Sequence, residues 1–396
     1  MRTKVKLKGG ISLIVLVITI IVMIILAAAI ILSLSNSGII GKANKAKTDS
    51  DTANLKEYVN TLRAEWELMT DAERAVKANS FEAYANEKLA ANGYKGAVGA
   101  DGEIYSNLNE NAMAVIRAGI KVGDVVTGYT VTSTTYTTDG SENKCILDDG
   151  TEADPQPQTV TANTALTWKY LGVNADGELE IMADLSTTAV ADNTKVTLSG
   201  KGGYLKGPDL LNTICEKLYS KEGVGTVRSM NIDDVNNILG YTGPKGRYSD
   251  TDYNIVTTAE PLTIGEIDKK LGTSLGKTKI LDGKDITTCY ADDYSINKTN
   301  DVKEMKNPGN RDLVYNAKNE YWLASPCVSA DFYDSVAGFG VRCVGSTDVN
   351  ALDMFDSEGG LYVDTCAVRP VVSLKSNIQL TRNTGETEWK IELAQN

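Results

Sequence analysis

Six cysteines and not one histidine define the chemistry open to this chain of 396 residues. Without imidazole there is no Ser-His-Asp or Cys-His nucleophile system, no histidine base and no histidine zinc site. The cysteines are Cys145, Cys215, Cys289, Cys327, Cys343 and Cys366. No two form a C-x-x-C pair, so spacing gives no support to a four-cysteine structural zinc site. Outside the membrane they can close disulfides in pairings that sequence does not rank, whereas an anaerobic host leaves them as free thiols. Cys327, Cys343 and Cys366 lie close enough in sequence to allow a Cys327–Cys343 or a Cys343–Cys366 bridge. Cys215, among the helix-spaced apolar residues of LLNTICEKLY, reads as a buried thiol.

The other chemistry-bearing side chains are carboxylates and aromatics near the C-terminus. Three irregular polar stretches, residues 327–338, 345–355 and 356–366, alternate with apolar strand-like runs. They carry Ser329, Asp331, Tyr333, Asp334, Asp348, Asn350, Asp353, Asp356, Glu358, Tyr362 and Asp364. Acidic and aromatic side chains on loops held by rigid strands make a binding face; the alternative is a plain solvated loop surface. The carboxylates favour a cationic or hydroxyl-rich ligand, or calcium, yet no D-x-D-x-D-G loop occurs. Asp233-Asp234 and Asp292-Asp293 read as cap or loop pairs. Arg342 and Arg369 sit in strand-like runs, where an arginine more often pairs with a structural carboxylate than clamps a ligand. The glycine-rich LSGKGGYLKG of residues 198–207 lacks the G-x-x-x-x-G-K-[ST] order and reads as a turn. A glycosidase needs two placed carboxylates, which spacing does not show. No catalytic residue, cofactor or metal is assigned, and the chain is not read as an enzyme.

The elements that position these groups can be traced along the chain. In residues 42–77, Leu55, Tyr58, Val59, Leu62, Trp66 and Met69 recur at three- and four-residue steps, the stripe of an amphipathic helix. Thr70 and Glu73 form a capping-box signature, and Phe81, Tyr84, Leu89 and Ala90 continue an apolar face up to Asn92-Gly93. Residues 119–138 alternate and are rich in β-branched residues, as strands are. The acidic, proline-bearing residues 148–158 read as a surface loop or linker. Residues 165–185 read as a hairpin turning at Asn174-Ala175-Asp176-Gly177, with Trp168 in its core. Helices are expected over 208–219, over 232–239 with Asn231 or Asp233 as cap, and over 261–271. Residues 241–253 and 282–308 read as loops. Strands return in EYWLASP, where Trp322 is a core residue, and in AGFGVRCVG and CAVRPVVSLK.

The N-terminus has a different texture. Residues 11–34 contain no charge and no proline, and their only polar residues are Ser12, Thr19 and Ser33. That is enough to cross a ~30 Å hydrocarbon layer at ~1.5 Å per residue. It exceeds the roughly 7–15 apolar residues of a removable secretory signal. Arg2, Lys4, Lys6 and Lys8 precede it with no acid among them, which leaves the N-terminus cytoplasmic and the bulk of the chain outside. The net charge of −12 repels polyanions, so nucleic acid is not an expected partner.

A basic leader, Lys8-Gly9-Gly10, an apolar run and an amphipathic extension resemble the N-terminus of type IV pilins, with GISLIVLVITIIVMIIL most like pilin-like proteins of clostridia-type Gram-positive bacteria. The resemblance implies cleavage after Gly10 by a prepilin peptidase, so that Ile11 begins the mature chain. It also implies a membrane and assembly segment bearing Ile11, Leu13, Val15, Ile18, Val22 and Ile25. Pilins carry glutamate at the fifth mature position, where this chain has Val15, which bears on assembly with like subunits. Farther on, LLNTICEKLY, VRSMNIDDVNNILGY, YWLASP, FGVR and VRPVVSLK are similar to a domain common on clostridial surface proteins, which implies a compact α+β domain. Its closing section resembles the C-type-lectin-like and formylglycine-generating-enzyme-like fold, some members of which display a C-terminal face diversified by retroelements. The Glu-Pro-Asn, Gln-Pro-Asp and Trp-Asn-Asp triplets of sugar-binding C-type lectins are missing. Formylglycine-generating enzymes hold copper with a cysteine pair, a comparison that Cys327, Cys343 and Cys366 invite.

The expected fold class is α+β: a long N-terminal hydrophobic and amphipathic helix followed by a mixed head whose C-terminal part is C-type-lectin-like. The expected divisions are a leader (1–10), a transmembrane or filament-core helix (11–34), stalk helices (35–92), a β-rich segment with acidic linker (93–164), a globular domain (165–380) and a tail (381–396). The expected function is a pilin-like extracellular surface protein displaying an adhesive C-terminal domain. The alternative is a single-pass surface receptor or adhesin that never polymerises, with a surface enzyme as a remote third. The partners implied are the membrane, the prepilin peptidase and pilus assembly machinery, like subunits, and an extracellular protein or glycan.

Overall fold

The computed structural model describes residues 39–106, 108–143, 156–187, 190–243, 295–331, 336–356 and 360–393, with short strand segments between 248 and 290. The chain divides into two compact units, residues 1–96 with 104–107 and residues 97–103 with 108–396.

The first unit is helical: α1 (Ile39–Leu68), α2 (Asp71–Lys77) and α3 (Phe81–Ala91). The stripe expected on α1 buries Leu55, Val59 and Leu62. Tyr58 stacks on Tyr94 at 4.7 Å, and Trp66 meets Phe81 and Tyr84. Thr70 starts α2 as read: its hydroxyl accepts from the Glu73 amide and the Glu73 carboxylate accepts from the Thr70 amide. Asn92 caps α3, and Gly93 follows in the left-handed region at φ 71°.

One fold expectation is corrected here. Among the described residues no helix is long and apolar enough to cross a membrane. The longest of them, α1, is interrupted by Lys42, Lys45, Lys47, Asp49, Asp51, Lys56 and Glu57, so its apolar residues form a narrow stripe and never a continuous surface. Residues 11–34, on which the long hydrophobic helix was expected, lie outside the described residues, as do Gly10 and the leader.

The second unit is mixed α+β and is built on two sheets. The strands of these two sheets are β1 (Val125–Thr127), β2 (Thr167–Val173), β3 (Leu179–Asp184), β4 (Lys195–Ser199), β5 (Gly225–Ser229), β6 (Ile296–Asn297), β7 (Tyr321–Asp331), β8 (Val336–Val344), β9 (Asp348–Asp356), β10 (Val363–Ala367), β11 (Pro370–Leu374), β12 (Ile378–Thr381) and β13 (Trp389–Leu393). Seven form one sheet in the order β12-β13-β1-β2-β3-β11-β5, and six form the other, β6-β9-β8-β7-β10-β4. Among the described residues four α-helices accompany them: α4 (Glu110–Arg117), α5 (Gly200–Tyr219), α6 (Ile232–Leu239) and α7 (Arg311–Tyr315).

Local signals account for much of this. The hairpin β2–β3 turns at Gly177, φ 77°, where the Asn174 amide donates to the Glu178 carbonyl. Asn231 caps α6 in a capping box with Asp234, and Gly240 ends it in the left-handed region. Trp168 and Trp322 are buried core residues, as expected.

Between β10 and β11 the chain passes from one sheet to the other, and Arg369 sits at the crossing, 2% exposed. Its Nε donates to the Ala183 carbonyl on β3 at 2.9 Å, and its Nη1 donates to the Tyr321 hydroxyl on β7 at 2.8 Å. The guanidinium also lies 4.9 Å from the Tyr321 ring centre. A carbonyl, a phenol and a ring take the place of the expected carboxylate. Arg228 on β5 does have carboxylate partners, Glu180 of β3 at 3.0 Å and Asp234 of α6 at 2.6 Å.

Several expectations fail in this unit for tertiary reasons, among them the irregular reading of 327–338, of which 327–331 belong to β7 and 336–338 to β8. Residues 200–207 are the first two turns of α5, with Pro208 inside the helix and not in its first turn. Gly203 and Gly207 let α5 lie against β4: a Cβ at Gly207 would stand 2.9 Å from Leu198 Cδ1, and one at Gly203 would stand 3.2 Å from Met354 Sδ. Close approach offsets the ~1 kcal/mol that each glycine costs a helix. Residues 345–355, read as irregular, belong mostly to β9, because pairing with β8 satisfies their backbone while Asn350 stays exposed. Pro261–Thr263 is a strand paired with Thr288–Tyr290, not the start of a helix, and 264–271 lie outside the described residues.

Asp184 gives this unit an acid-sensitive contact. Burial alone raises its carboxyl, but hydrogen bonds from Ser186 and the Lys169 ammonium at 2.9 Å outweigh it and hold the group below the usual range. A carboxyl depressed in the folded state stabilises it above the unfolded value of about 3.9, and that contribution is lost as pH falls through the folded value. Thermal midpoints are expected to drop less between pH 5 and 2.5 in Asp184→Asn than in the parent. Parallel curves would remove Asp184 from the acid response.

Candidate functional site

The six-stranded sheet carries Ser329, Asp331, Asp348, Asn350, Asp353, Asp356 and Asp364 of the residues singled out as a binding face, but at two places. Register fixes them. Asp348 pairs with Asn297 and Asn350 with Cys343 at one end of β9; Asp356 pairs with Gly338 at the other. Eight residue steps at ~3.4 Å put these ends roughly 27 Å apart, so one ligand of small size does not span both.

At the far end, Ser329 of β7, Gly338 of β8 and Asp356 of β9 form one row across three strands, and Asp331 is opposite Val336 two positions on. Asp353 belongs to this end. It faces Gly340 across a register shift, and its Oδ1 stands 2.6 Å from where a Cβ of Gly338 would be. A side chain at Gly338 would therefore require that carboxylate to shift. The chain returns here: the Tyr362 amide donates to the Met354 carbonyl at 2.9 Å, and Leu361 bridges to Phe355. Leu361, Tyr362 and Val363 are exposed at 39%, 46% and 63%, unusual for consecutive large side chains beside a core. Tyr333, Asp334 and Glu358 lie outside the described residues. Beneath this end the core is aromatic. Phe339 and Phe355 stack at 4.6 Å, and Tyr204 of α5 meets both edge-on.

At the near end the sequence offered Asp348, Asn350, Asp364 and a Cys343–Cys366 pairing, but not their grouping with Glu320. Cys343 on β8 pairs with Trp322 of β7, Cys366 stands on β10 on the other side of β7, and Glu320 immediately precedes β7. The two sulfurs are 3.7 Å apart, and both cysteines are buried to 3% exposure. With exposed Glu320 they form a group whose ligand atoms all lie within 4.8 Å of one another. Asp348 is close by: its Oδ1 and Glu320 Oε1 stand 3.3 and 3.7 Å from the Cβ position of Gly345. Asp364, two residues before Cys366 on β10, is opposite Leu198, and burial raises its carboxyl. The neighbouring Cys366 thiol, with burial second, pushes the Cys343 thiol up. Glu320 carries no sequence signal, and 23 residues separate the two cysteines. Only their placement on strands flanking β7 reveals the group.

Cys215, Cys327, Cys343 and Cys366 are buried. Cys215 is the buried thiol expected, and burial pushes it up to about 12. Cys327 is opposite Gly340 on β8, not beside Cys343. Cys145 lies outside the described residues. Arg342 is fully buried in β8 opposite Ala351, inside the sheet and not on a ligand-facing loop.

No family model, no curated protein and no solved structure matches this chain.

Proposed function

We propose that the chain is a pilin-like extracellular surface protein, held at the cell surface through its N-terminal segment and presenting the far end of the six-stranded sheet to a protein or glycan outside. The observation that carries this reading is the order of the first ninety or so residues. Four cations precede Gly9-Gly10, residues 11–34 are uncharged, and α1 then presents a single buried stripe. The row of Ser329 and Asp356 with Asp353 and exposed Tyr362 supports a binding role for the opposite end of the chain. A carboxylate-bearing stretch with an exposed aromatic suits a hydroxyl-rich or cationic ligand. Val15, in place of the glutamate that resembling pilins carry, favours a second reading, an anchored receptor or adhesin that does not polymerise.

Both readings are tested by intact mass and N-terminal sequencing of protein sheared from cells with and without their prepilin peptidase. A mature chain beginning at Ile11, recovered in a sheared filament fraction only when the peptidase is present, is the expected result. A chain that keeps Arg2 and Lys4 and stays with the membranes would replace the pilin reading with the anchored one.

A further inference from the structure

We infer that Cys343, Cys366 and Glu320 form a binding site for a single thiophilic divalent cation of the zinc class. The site lies at the near end of the six-stranded sheet, remote from the proposed ligand-facing end, and does not depend on the reading of the chain as a pilin. Three observations converge on it. First, the sulfur separation fits a shared metal. Two thiolates bound to one tetrahedral zinc at ~2.3 Å stand about 3.8 Å apart, and here Cys343 Sγ and Cys366 Sγ are 3.7 Å apart.

Second, a disulfide does not suit the frame. The cysteines belong to strands on either side of β7 and are not partners in a strand register. A disulfide holds its sulfurs at ~2.05 Å, so the pair, 3.7 Å apart, would have to be drawn together across β7. A cation between the sulfurs needs no such movement.

Third, the site has a further ligand and a way in. The thiols are buried, but Glu320 is exposed at the start of β7, with its carboxylate within 4.8 Å of both sulfurs. A small rotation of this solvent-facing side chain brings an oxygen to the ~2.0–2.2 Å of a zinc–carboxylate bond. Two thiolates and one carboxylate leave the fourth tetrahedral position to water. Binding displaces the thiol protons and replaces the contact between the two sulfurs with direct ligation of both. Soft sulfur ligands select zinc-class cations over magnesium or calcium. A sheet whose β7–β10 pairing consists of Tyr321 with Ala367 would gain a cross-link at its weakest seam.

The test uses the full chain, reduced, stripped with a chelator and titrated with cobalt(II), then with zinc(II). One cobalt per chain is expected, with sulfur-to-cobalt charge transfer of two-thiolate intensity and tetrahedral visible bands that zinc abolishes. Cys343→Ala and Cys366→Ala should each remove these bands, and Cys327→Ala, a buried thiol off the site, should leave them. Because the cysteine variants can unfold, Glu320→Gln supplies the deciding measurement. Its exposed side chain makes it fold-neutral, and it should retain charge transfer but weaken zinc binding by roughly tenfold or more. The inference is overturned by absent bands in the parent, by bands that survive Cys343→Ala with Cys366→Ala, or by unchanged affinity in Glu320→Gln. A Cys343–Cys366 disulfide formed in preference to metal binding overturns it equally.

Discussion

Replacing Arg228 by methionine is expected to destabilise the second unit by about 3 kcal/mol, the lower end of what breaking a buried ion pair costs. The side chain is 30% exposed, which argues for the lower end, while its partners are nearly enclosed: Glu180 is 5% exposed and Asp234 6%. The guanidinium donates to both oxygens of each carboxylate, at 3.0 and 3.2 Å to Glu180 and at 2.6 and 2.8 Å to Asp234. In doing so it joins β5, β3 and α6, and its attraction to these two carboxylates raises its own protonation range despite burial. Ser373 of β11 also donates to Glu180, so methionine would leave two low-dielectric carboxylates with one neutral hydroxyl and the α6 cap between them. Urea unfolding measures the loss as a lower midpoint at unchanged slope. Adding Glu180→Gln to Arg228→Met should recover part of the stability, because the cost lies mainly in the stranded charge. A single variant within 0.5 kcal/mol of the parent, about the scatter of ordinary surface changes, would show the cluster to be solvated decoration.

Trp322→Ala is expected to cost more, about 3–5 kcal/mol, the usual range for removing a fully buried tryptophan. The ring has no exposure, and its Nε1 donates to the Val196 carbonyl at 2.8 Å, which ties β7 to β4 across β10. Alanine would open a cavity and also strand that carbonyl. Trp322→Phe separates the two effects, since it keeps most of the packing and loses only the donor, for about 1–3 kcal/mol. Because Trp322 is directly opposite Cys343, the alanine variant should also loosen the near end of the sheet. The measurement is again the urea midpoint, with alanine well below phenylalanine. Equal midpoints would mean that the hydrogen bond, and not the ring, supplies the stability.

Sequence alone was informative wherever structure is decided within a few residues. The Thr70–Glu73 box, the Asn231 cap, the Gly177 turn and the stripe through Leu55, Val59 and Leu62 are short-range arrangements, and each is found where the residue types placed it. Burial of Trp168, Trp322 and Cys215 follows from apolar periodicity in the same way. Residues 11–34 remain a statement of composition.

Tertiary structure decided everything that depends on strands far apart in sequence. Glycines 203 and 207 read as part of a turn until Leu198 and Met354 are placed against them, and then only a helix without Cβ atoms at those two positions fits. The polar run 345–355 reads as loop until β8 lies beside it. Arg369 has no local signal for Ala183 or Tyr321, which come to it from two different sheets. The same holds for Cys343, Cys366 and Glu320. Local physics gives each its strand or strand end, and only the order β8-β7-β10 brings two sulfurs and a carboxylate to one point. Capping and periodicity act over one helical turn or one pleat, whereas a site across three strands is set by which strands pair, and that is decided by the packing of the whole core.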